Sequence, residues 1–154
     1  MKPYYRKATV KDAALVANNL RKEDLREVEG LGHNTLVLPF CVLTSTTAIA
    51  FFDSDGSIAG VGGIIPDPRE GVGIVWMLCT PVVQNKPHTF VRHLKRWLKE
   101  QHKDYRMLWN IADARNKFHQ KLVKLLGFKC LRMTYQPPYG LPYLEIVKLC
   151  AVQQ

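Results

Sequence analysis

Three short apolar segments in succession constrain the fold of this chain more than any other feature of its sequence. They span residues 48–52, 58–65 and 72–79 and are rich in Val, Ile and aromatic residues, which are enriched in β-strands. The connections at 53–56 and 66–71 contain the Asp, Pro and Gly of tight turns. Because such short connections join antiparallel neighbours, the segments predict a three-stranded antiparallel meander.

Helical periodicity precedes the meander. Thr9, with Asp12 three residues later, resembles a capping box, and the apolar positions that follow recur at helical spacing. A second short helix comes next, and Gly30 and Gly32 end it. A short strand over residues 4–8 lies before both helices. The N-terminal part therefore predicts one strand and two helices.

Two amphipathic helices and three strands follow the meander. One helix begins at Pro87 and the other ends at Gly127, and each has an apolar stripe opposite a basic stripe. A buried strand over 107–112 separates them, and strands over 128–135 and 143–149 close the chain. We expect an α/β fold, a mixed β-sheet with helices on both faces. Five apolar side chains of the helices are expected in the core: Phe90, Leu94, Trp97, Leu122 and Leu126.

Length and composition favour one globular domain over residues 1–154. The chain is 47% hydrophobic and 23% charged, and it contains no repeat or Ser/Gly linker that would mark a boundary. No apolar run approaches the roughly 18 residues that cross a bilayer, and residues 1–7 are too polar for a secretory signal. The four cysteines form no Cys-x-x-Cys pair. We therefore expect no membrane span, no Sec-dependent secretion, reduced thiols and no metal site.

The excess of positive charge lies in the second half of the chain. The net charge is +9; residues 1–77 hold eight Lys and Arg against nine Asp and Glu, whereas residues 78–154 hold fourteen against four. Such asymmetry predicts an anionic partner, either nucleic acid phosphates or a phosphorylated cofactor. The two basic helices could contact DNA or an acidic partner protein. The alternative is a solvated basic surface without a partner. The residues expected to make the contact lie on the two helical stripes: Arg92, Arg96, Lys117, Lys121 and Lys124.

A local motif connects this pattern to a known family. Leu-Trp-Asn-Ile at 108–111 is followed by Asn116, and Gly127 with Phe128 comes eleven residues after that asparagine. The motif and the order of elements resemble the GNAT acetyltransferase fold. In that fold such an asparagine opens the helix that closes over coenzyme A.

A narrower resemblance covers the stretch from 81 to 128. Its features are a proline before the long helix, the pair Arg96 and Trp97, the Leu-Trp-Asn strand, and His119 three residues after Asn116. This stretch resembles a GNAT-like family of short-tailed bacteriophages that includes internal virion proteins. The resemblance implies a virion component or another phage accessory protein, located in the virion or the host cytoplasm, with virion proteins or DNA as partners.

The GNAT resemblance also implies positions for a cofactor. Met77, Leu78 and Cys79, at the end of the third meander strand, correspond to the backbone that pairs with pantetheine. Lys86 lies in the segment that corresponds to the phosphate loop, and Asn116 would contact the cofactor while it caps its helix.

Two departures from the family pattern argue against efficient acetyl transfer. The phosphate-loop segment 80–88 contains no glycine, and its two prolines cannot donate backbone N–H groups. Val123 stands where many GNAT enzymes have a tyrosine that protonates the leaving thiolate. We therefore expect acetyl-CoA to bind weakly or not at all. One alternative is an acetyl-CoA-dependent N-acetyltransferase with an unusual cofactor loop. A third class, a nucleic-acid-binding module, is favoured only by the charge of the chain.

Acetyl transfer to an amine also needs a base and an acid. In the GNAT fold, a loop after the second helix and the start of the fourth strand commonly border the acceptor site. The resemblance therefore makes Glu29, His33 and Glu70 the candidate bases. Tyr139, or Tyr135, in the region around the Pro-Pro-Tyr-Gly turn is the candidate acid. As alternatives, the two glutamates are ordinary solvated carboxylates and the tyrosines only pack.

Overall fold

The computed structural model describes residues 2–150. Its elements in chain order are β1 (Tyr4–Lys7), α1 (Val10–Ala17), α2 (Lys22–Gly30), α3 (Val37–Thr44), β2 (Thr47–Phe52), β3 (Ile58–Pro66), β4 (Val72–Cys79), a 3-10 helix (Pro81–Gln84), α4 (Pro87–Gln101), β5 (Met107–Asp113), α5 (Lys117–Leu125), β6 (Lys129–Gln136) and β7 (Leu141–Leu149). The strands form one sheet in the order β1-β2-β3-β4-β5-β7-β6.

The predicted meander is confirmed. β2, β3 and β4 pair as antiparallel neighbours, and β1 adds to the outer side of β2. β4 and β5 form the parallel pair of the sheet, and the long connection between them contains α4. β7 then pairs antiparallel with both β5 and β6. The sheet is therefore mixed, as the order of elements predicted.

Helices cover both faces of this sheet and enclose two cores. On one face α1, α2 and α3 bury side chains such as Val16 and Leu38. On the other face α4 and α5 bury Leu94, Trp97 and Leu122. All five side chains predicted for the core of this second face are at most 8% exposed. The amphipathic periodicity of the two basic helices thus identified their buried sides correctly.

Local capping signals were also interpreted correctly. Thr9 and Asp12 form a reciprocal capping box at the start of α1. Asn116 is the N-cap of α5, where its side chain accepts the N–H of His119 at 3.3 Å. Gly127 follows α5 with φ of 91°, a left-handed conformation that glycine adopts without strain.

The prediction of only two helices before the meander is wrong, because α3 was missed. Its sequence, Val-Leu-Pro-Phe-Cys-Val-Leu-Thr, is apolar on every side. A helix with no polar face shows no helical periodicity in its sequence. Leu38 is buried, whereas Leu36, Phe40 and Leu43 are exposed. Among residues 2–150, neither this helix nor a longer one has the length and apolar character needed to cross a membrane.

Candidate functional site

β4 and β5 separate from each other part of the way along their length. Their ladder contains three register pairs, from Val72 with Met107 to Ile74 with Trp109. Both strands continue beyond these pairs, β4 to Cys79 and β5 to Asp113. The divergence leaves a wedge-shaped gap in the middle of the sheet, narrow at the paired end and wide at the carboxyl ends of the two strands.

A cavity of about 280 Å³ lies along this gap. Its wall is mostly apolar and comes from both faces of the sheet: Val28 and Val37 on one face, and Leu94 and Leu122 on the other. The polar residues that contribute to the wall are Glu27, His33, Asn110 and His119. The gap therefore forms an elongated apolar space with a few polar groups, which is the usual character of a small-molecule site.

The carboxylate of Asp24, on α2, closes the wide end of the gap. It is fully buried, and its Oδ2 accepts the backbone N–H of Cys79 at 2.7 Å. Its Oδ1 accepts Nη1 of Arg21 at 2.9 Å and Nδ2 of Asn116 at 3.0 Å. One side chain thus joins the end of β4 to the beginning of α5 across the gap.

Glu27 makes the equivalent connection to β5. Its Oε1 accepts the backbone N–H of Asp113 at 2.6 Å, and its Oε2 lies 3.1 Å from Nδ1 of His119. Nε2 of His119 lies 3.4 Å from Oδ1 of Asp24, which is an ionic contact rather than a well-formed hydrogen bond. His119 therefore sits between the two carboxylates that hold the wide end together.

These contacts determine the charges in the cluster. Burial opposes protonation of His119, but the carboxylates of Glu27 and Asp24 outweigh it and raise the pKa of the imidazole well above its usual range. Burial likewise opposes ionisation of Asp24, but His119 and the hydrogen bonds from Asn116 and Cys79 lower its pKa. The two pKa shifts therefore both favour the ionised pair, an imidazolium at His119 beside a carboxylate at Asp24.

Arg21 and Cys79 complete the cluster. Arg21 is 4% exposed, its guanidinium lies 4.3 Å from the ring centroid of Phe118, and its backbone N–H donates to the carbonyl of Cys79 at 2.9 Å. The thiol of Cys79 is buried, and burial raises its pKa. A buried thiol of raised pKa is a poor nucleophile.

The segment between β4 and α4 uses its own hydrogen-bond donors. The N–H groups of Val82 and Val83 both bond to Thr80, and that of Asn85 bonds to Val82. The ammonium of Lys86 lies 3.2 Å from Oδ1 of Asp53 and 2.6 Å from the hydroxyl of Ser54. α4 then begins at a proline. The N–H groups of Val82, Val83 and Asn85 and the ammonium of Lys86 are therefore engaged within the chain rather than available to an anion.

The structure brings some of the predicted site residues together and leaves others apart. Met77, Leu78 and Cys79 lie on the diverging part of β4, and Asn116 lies across the gap at the start of α5. Lys86 is exposed and bonded to the 53–54 turn rather than to the gap.

Among the candidate catalytic residues, only His33 contributes to the cavity wall. Glu29 and Glu70 are exposed on the surface, and neither is part of that wall. Tyr139, in the turn before β7, and Tyr135, on β6, are also exposed and lie outside the wall. The acidic residue of α2 that reaches the cavity is Glu27, two positions before the predicted Glu29. The catalytic roles assigned to these residues stay predictions.

Sequence reasoning missed the residues that hold the wide end of the gap. Arg21, Asp24 and Glu27 belong to a strongly charged segment, and such segments usually lie on a solvated helix face. The spacing of three residues from Asn116 to His119 was the one signal that pointed to the cluster.

Comparison with known proteins places this geometry in a structural class. No protein-family model and no curated protein matches the chain. Its structure is similar to that of Ard1 from Thermoplasma volcanium (TM-score 0.76, 12% identity, 99% of this chain and 100% of that one). It is also similar to a GNAT superfamily phosphinothricin acetyltransferase from Sinorhizobium meliloti in complex with AcCoA (TM-score 0.73, 12% identity, 97% and 89%).

A third similar structure is an acetyltransferase of the GNAT family from Streptococcus pneumoniae (TM-score 0.67, 16% identity, 97% and 100%). These matches extend over nearly the whole of each chain. The protein therefore has the GNAT fold. At identities this low, the likeness establishes the fold and leaves the activity to be argued from the site.

Proposed function

We propose that this GNAT-fold chain is a virion-associated or accessory protein of a short-tailed bacteriophage, in which the cofactor site no longer supports efficient acetyl transfer. The hydrogen bond from the N–H of Cys79 to Asp24 carries the second part of this proposal. The narrower phage resemblance of residues 81–128 supports the first part.

The bond to Asp24 occupies a donor that a cofactor would need. By resemblance to GNAT proteins, the backbone around Met77, Leu78 and Cys79 is the part of β4 that pairs with pantetheine. Freeing the N–H of Cys79 breaks a buried charge-assisted bond, and such bonds contribute about 1.5–3 kcal/mol. Asn116 is similarly engaged, since its side chain bonds both Asp24 and the backbone of His119.

The phosphate end of the site is weakened as well. Pro81 and Pro87 provide no N–H, and the ammonium of Lys86 is already paired with Asp53. A glycine-free loop also keeps its backbone farther from a pyrophosphate, because every residue carries a Cβ. Acetyl-CoA would therefore bind weakly or not at all.

The basic faces support a role in binding. Arg92 and Arg96 on α4, and Lys117, Lys121 and Lys124 on α5, are all exposed. Clustered exposed cations attract polyanions without reading base sequence. Acidic virion proteins or packaged DNA fit this surface, in the virion or the host cytoplasm.

An acetyl-CoA-dependent N-acetyltransferase is the second candidate, and the cavity favours it. The cavity along the gap between β4 and β5 has a volume of about 280 Å³, and His119 contributes to its wall next to Glu27. A protonated imidazole could supply the acid that Val123 does not. The amine acceptor would be a protein or a small molecule.

Calorimetry with acetyl-CoA separates the two candidates. We expect no heat of binding up to millimolar acetyl-CoA, and no acetyl transfer to generic amines. Micromolar affinity that is lost in Asn116→Ala but kept in the surface control Leu43→Ala, together with turnover on any amine, would establish the enzyme instead.

Mass spectrometry of purified particles tests the virion role. We expect the chain in intact virions at a constant ratio to the capsid protein. If the chain accumulates in infected cells but is missing from purified particles, the virion role is wrong and an accessory role in the cytoplasm is left.

A further inference from the structure

The two edges of the sheet differ in how they are protected. β1, at one edge, has four residues, two of them the charged Arg6 and Lys7, and Pro3 precedes it. A short, charged edge resists pairing with another strand. β6, at the other edge, has eight residues and contains no proline. A bulge lies between Cys130 and Arg132, and from Arg132 to Gln136 the strand pairs regularly, within residues 2–150 with β7 alone. Its outer edge therefore carries backbone groups that are free to bond another strand.

β6 is also exposed on its faces. Residues 129–133 are all exposed, and three of the large side chains are apolar: Leu131, Met133 and Tyr135 are 59%, 49% and 70% exposed. Met133 lies opposite Leu144, and Tyr135 opposite Pro142, on β7. Since directly opposite residues share a face of the sheet, and Leu144 packs against the core under α4 and α5, both side chains lie on that face.

The stretch of sequence that contains β6 is strongly cationic. From residue 114 to the end, the sequence holds seven Lys and Arg and a single acidic residue, Glu145. Glu145 is already paired with Arg132 at 3.2 Å. Two of these cations, Lys129 and Arg132, lie on β6 itself and are exposed, and the exposed lysines of α5 lie on the helix that directly precedes β6. An incoming strand therefore meets free backbone groups, an apolar stripe and positive charge.

We propose that the outer edge of β6 binds an extended, acidic segment of another protein as an additional strand. Backbone pairing would provide affinity, and alternate apolar side chains would pack on Met133 and Tyr135. Charge complementarity favours an acidic partner over a second copy, because a second copy brings the same cationic stretch to the interface. The proposal depends on the geometry of β6 and is independent of whether the chain binds acetyl-CoA.

Fluorescence anisotropy with a defined probe tests this assignment. The probe is a labelled ten-residue peptide that alternates Glu with Val, with acetyl and amide ends. We expect saturable binding that weakens as salt is raised and that protects the amides of β6 from hydrogen exchange. The same peptide with alternate backbone nitrogens methylated should bind at least about tenfold more weakly, because it cannot pair as a strand.

Variants of the protein locate the site. Tyr135→Glu and Met133→Glu should each weaken binding by about tenfold or more, because both remove apolar contact and add repulsion. Leu43→Glu is the matched control: Leu43 is an exposed apolar residue on α3, 66% exposed against 70% for Tyr135, and its substitution should leave binding unchanged. Both target side chains are exposed, and circular dichroism checks that the variants fold.

Three results would overturn the proposal. The first is equal binding of the methylated and unmethylated peptides by the wild-type protein. The second is a stable dimer that Tyr135→Glu dissociates, which would assign the edge to a second copy. The third is that Tyr135→Glu weakens the binding of duplex DNA but leaves the binding of the peptide unchanged, which would assign the edge to nucleic acid.

Discussion

The two ends of the gap between β4 and β5 are held together by different interactions. At the narrow end, three register pairs form a parallel backbone ladder, flanked by buried side chains such as Leu108. At the wide end the ladder is replaced by side chains, with Asp24 bonded to the end of β4 and Glu27 to the end of β5. His119 lies between these two carboxylates.

The difference shows that side chains can replace the backbone ladder where two neighbouring strands diverge. Backbone N–H groups at diverging strand ends need partners, because burying them without any costs free energy. In this chain two carboxylates of α2 accept these groups, and Arg21 and His119 neutralise the carboxylates. The wide end should therefore depend on charge and pH, whereas the narrow end depends on packing.

Removing the central carboxylate should have the largest effect. Asp24→Ala leaves Arg21 and His119 without their shared partner and frees the N–H of Cys79. Removing one partner of a buried ion pair costs about 3–5 kcal/mol. We therefore expect the free energy of unfolding, measured in urea, to fall by about that amount. Glu23→Ala is the control: Glu23 is more exposed and also contacts Arg21, at 3.3 Å, so its loss should cost about 1 kcal/mol or less. Equal losses in the two variants would contradict the comparison.

The apolar wall of the gap gives the next largest effect. Leu122 is 5% exposed and lines the cavity, so Leu122→Ala removes buried methyl groups and enlarges an existing space. We expect a loss of about 2–5 kcal/mol in the free energy of unfolding. Leu125→Ala, three residues later on the exposed side of α5, should change it by no more than about 0.5 kcal/mol. A small effect at Leu122 would mean that packing matters less here than the charged cluster.

The fold was largely predictable because its elements have contrasting faces or recognisable ends. The meander, α4 and α5 each showed periodicity or turn residues in the sequence. α3 showed neither, because all of its sides are apolar, and its helical state depends on packing against α1 and β3. Its presence could not be predicted from a periodic pattern.

The candidate site was predictable only where a motif marked it. Asn116 was found from its spacing to Gly127, and its capping role is confirmed. Asp24 and Glu27 were missed, because three-residue spacing on a charged helix is the same for a solvated face and a buried one. Their burial depends on the divergence of β4 and β5, which the sequence does not show.

A backbone prediction tests the end of α5, away from both ends of the gap. Gly127 has φ of 91°, and Gly127→Ala places a Cβ in a conformation that is strained for other residues. We expect a loss of about 1 kcal/mol in the free energy of unfolding. Gly56→Ala is the matched control: Gly56 also has a positive φ, 87°, but no atom lies within 4 Å of the added Cβ, so this variant measures backbone strain alone. A much larger loss at Gly127 would show that the nearby Lys148 cannot move aside.

The last expected effect is a dependence of stability on pH, because protonation changes the charge of the cluster without removing a side chain. The folded-state pKa of His119 lies above its unfolded value of about 6.5, so its stabilising contribution is complete below that pH and is lost as pH rises through the folded pKa. The folded-state pKa of Asp24 is lowered, so its contribution is present above about pH 4 and is lost as pH falls through the folded pKa. Urea unfolding between pH 6 and pH 10 should show wild-type stability decreasing with a slope that His119→Gln lacks. Parallel curves for the two proteins would mean that His119 is neutral in the cluster, and that hydrogen bonds alone hold the wide end of the gap.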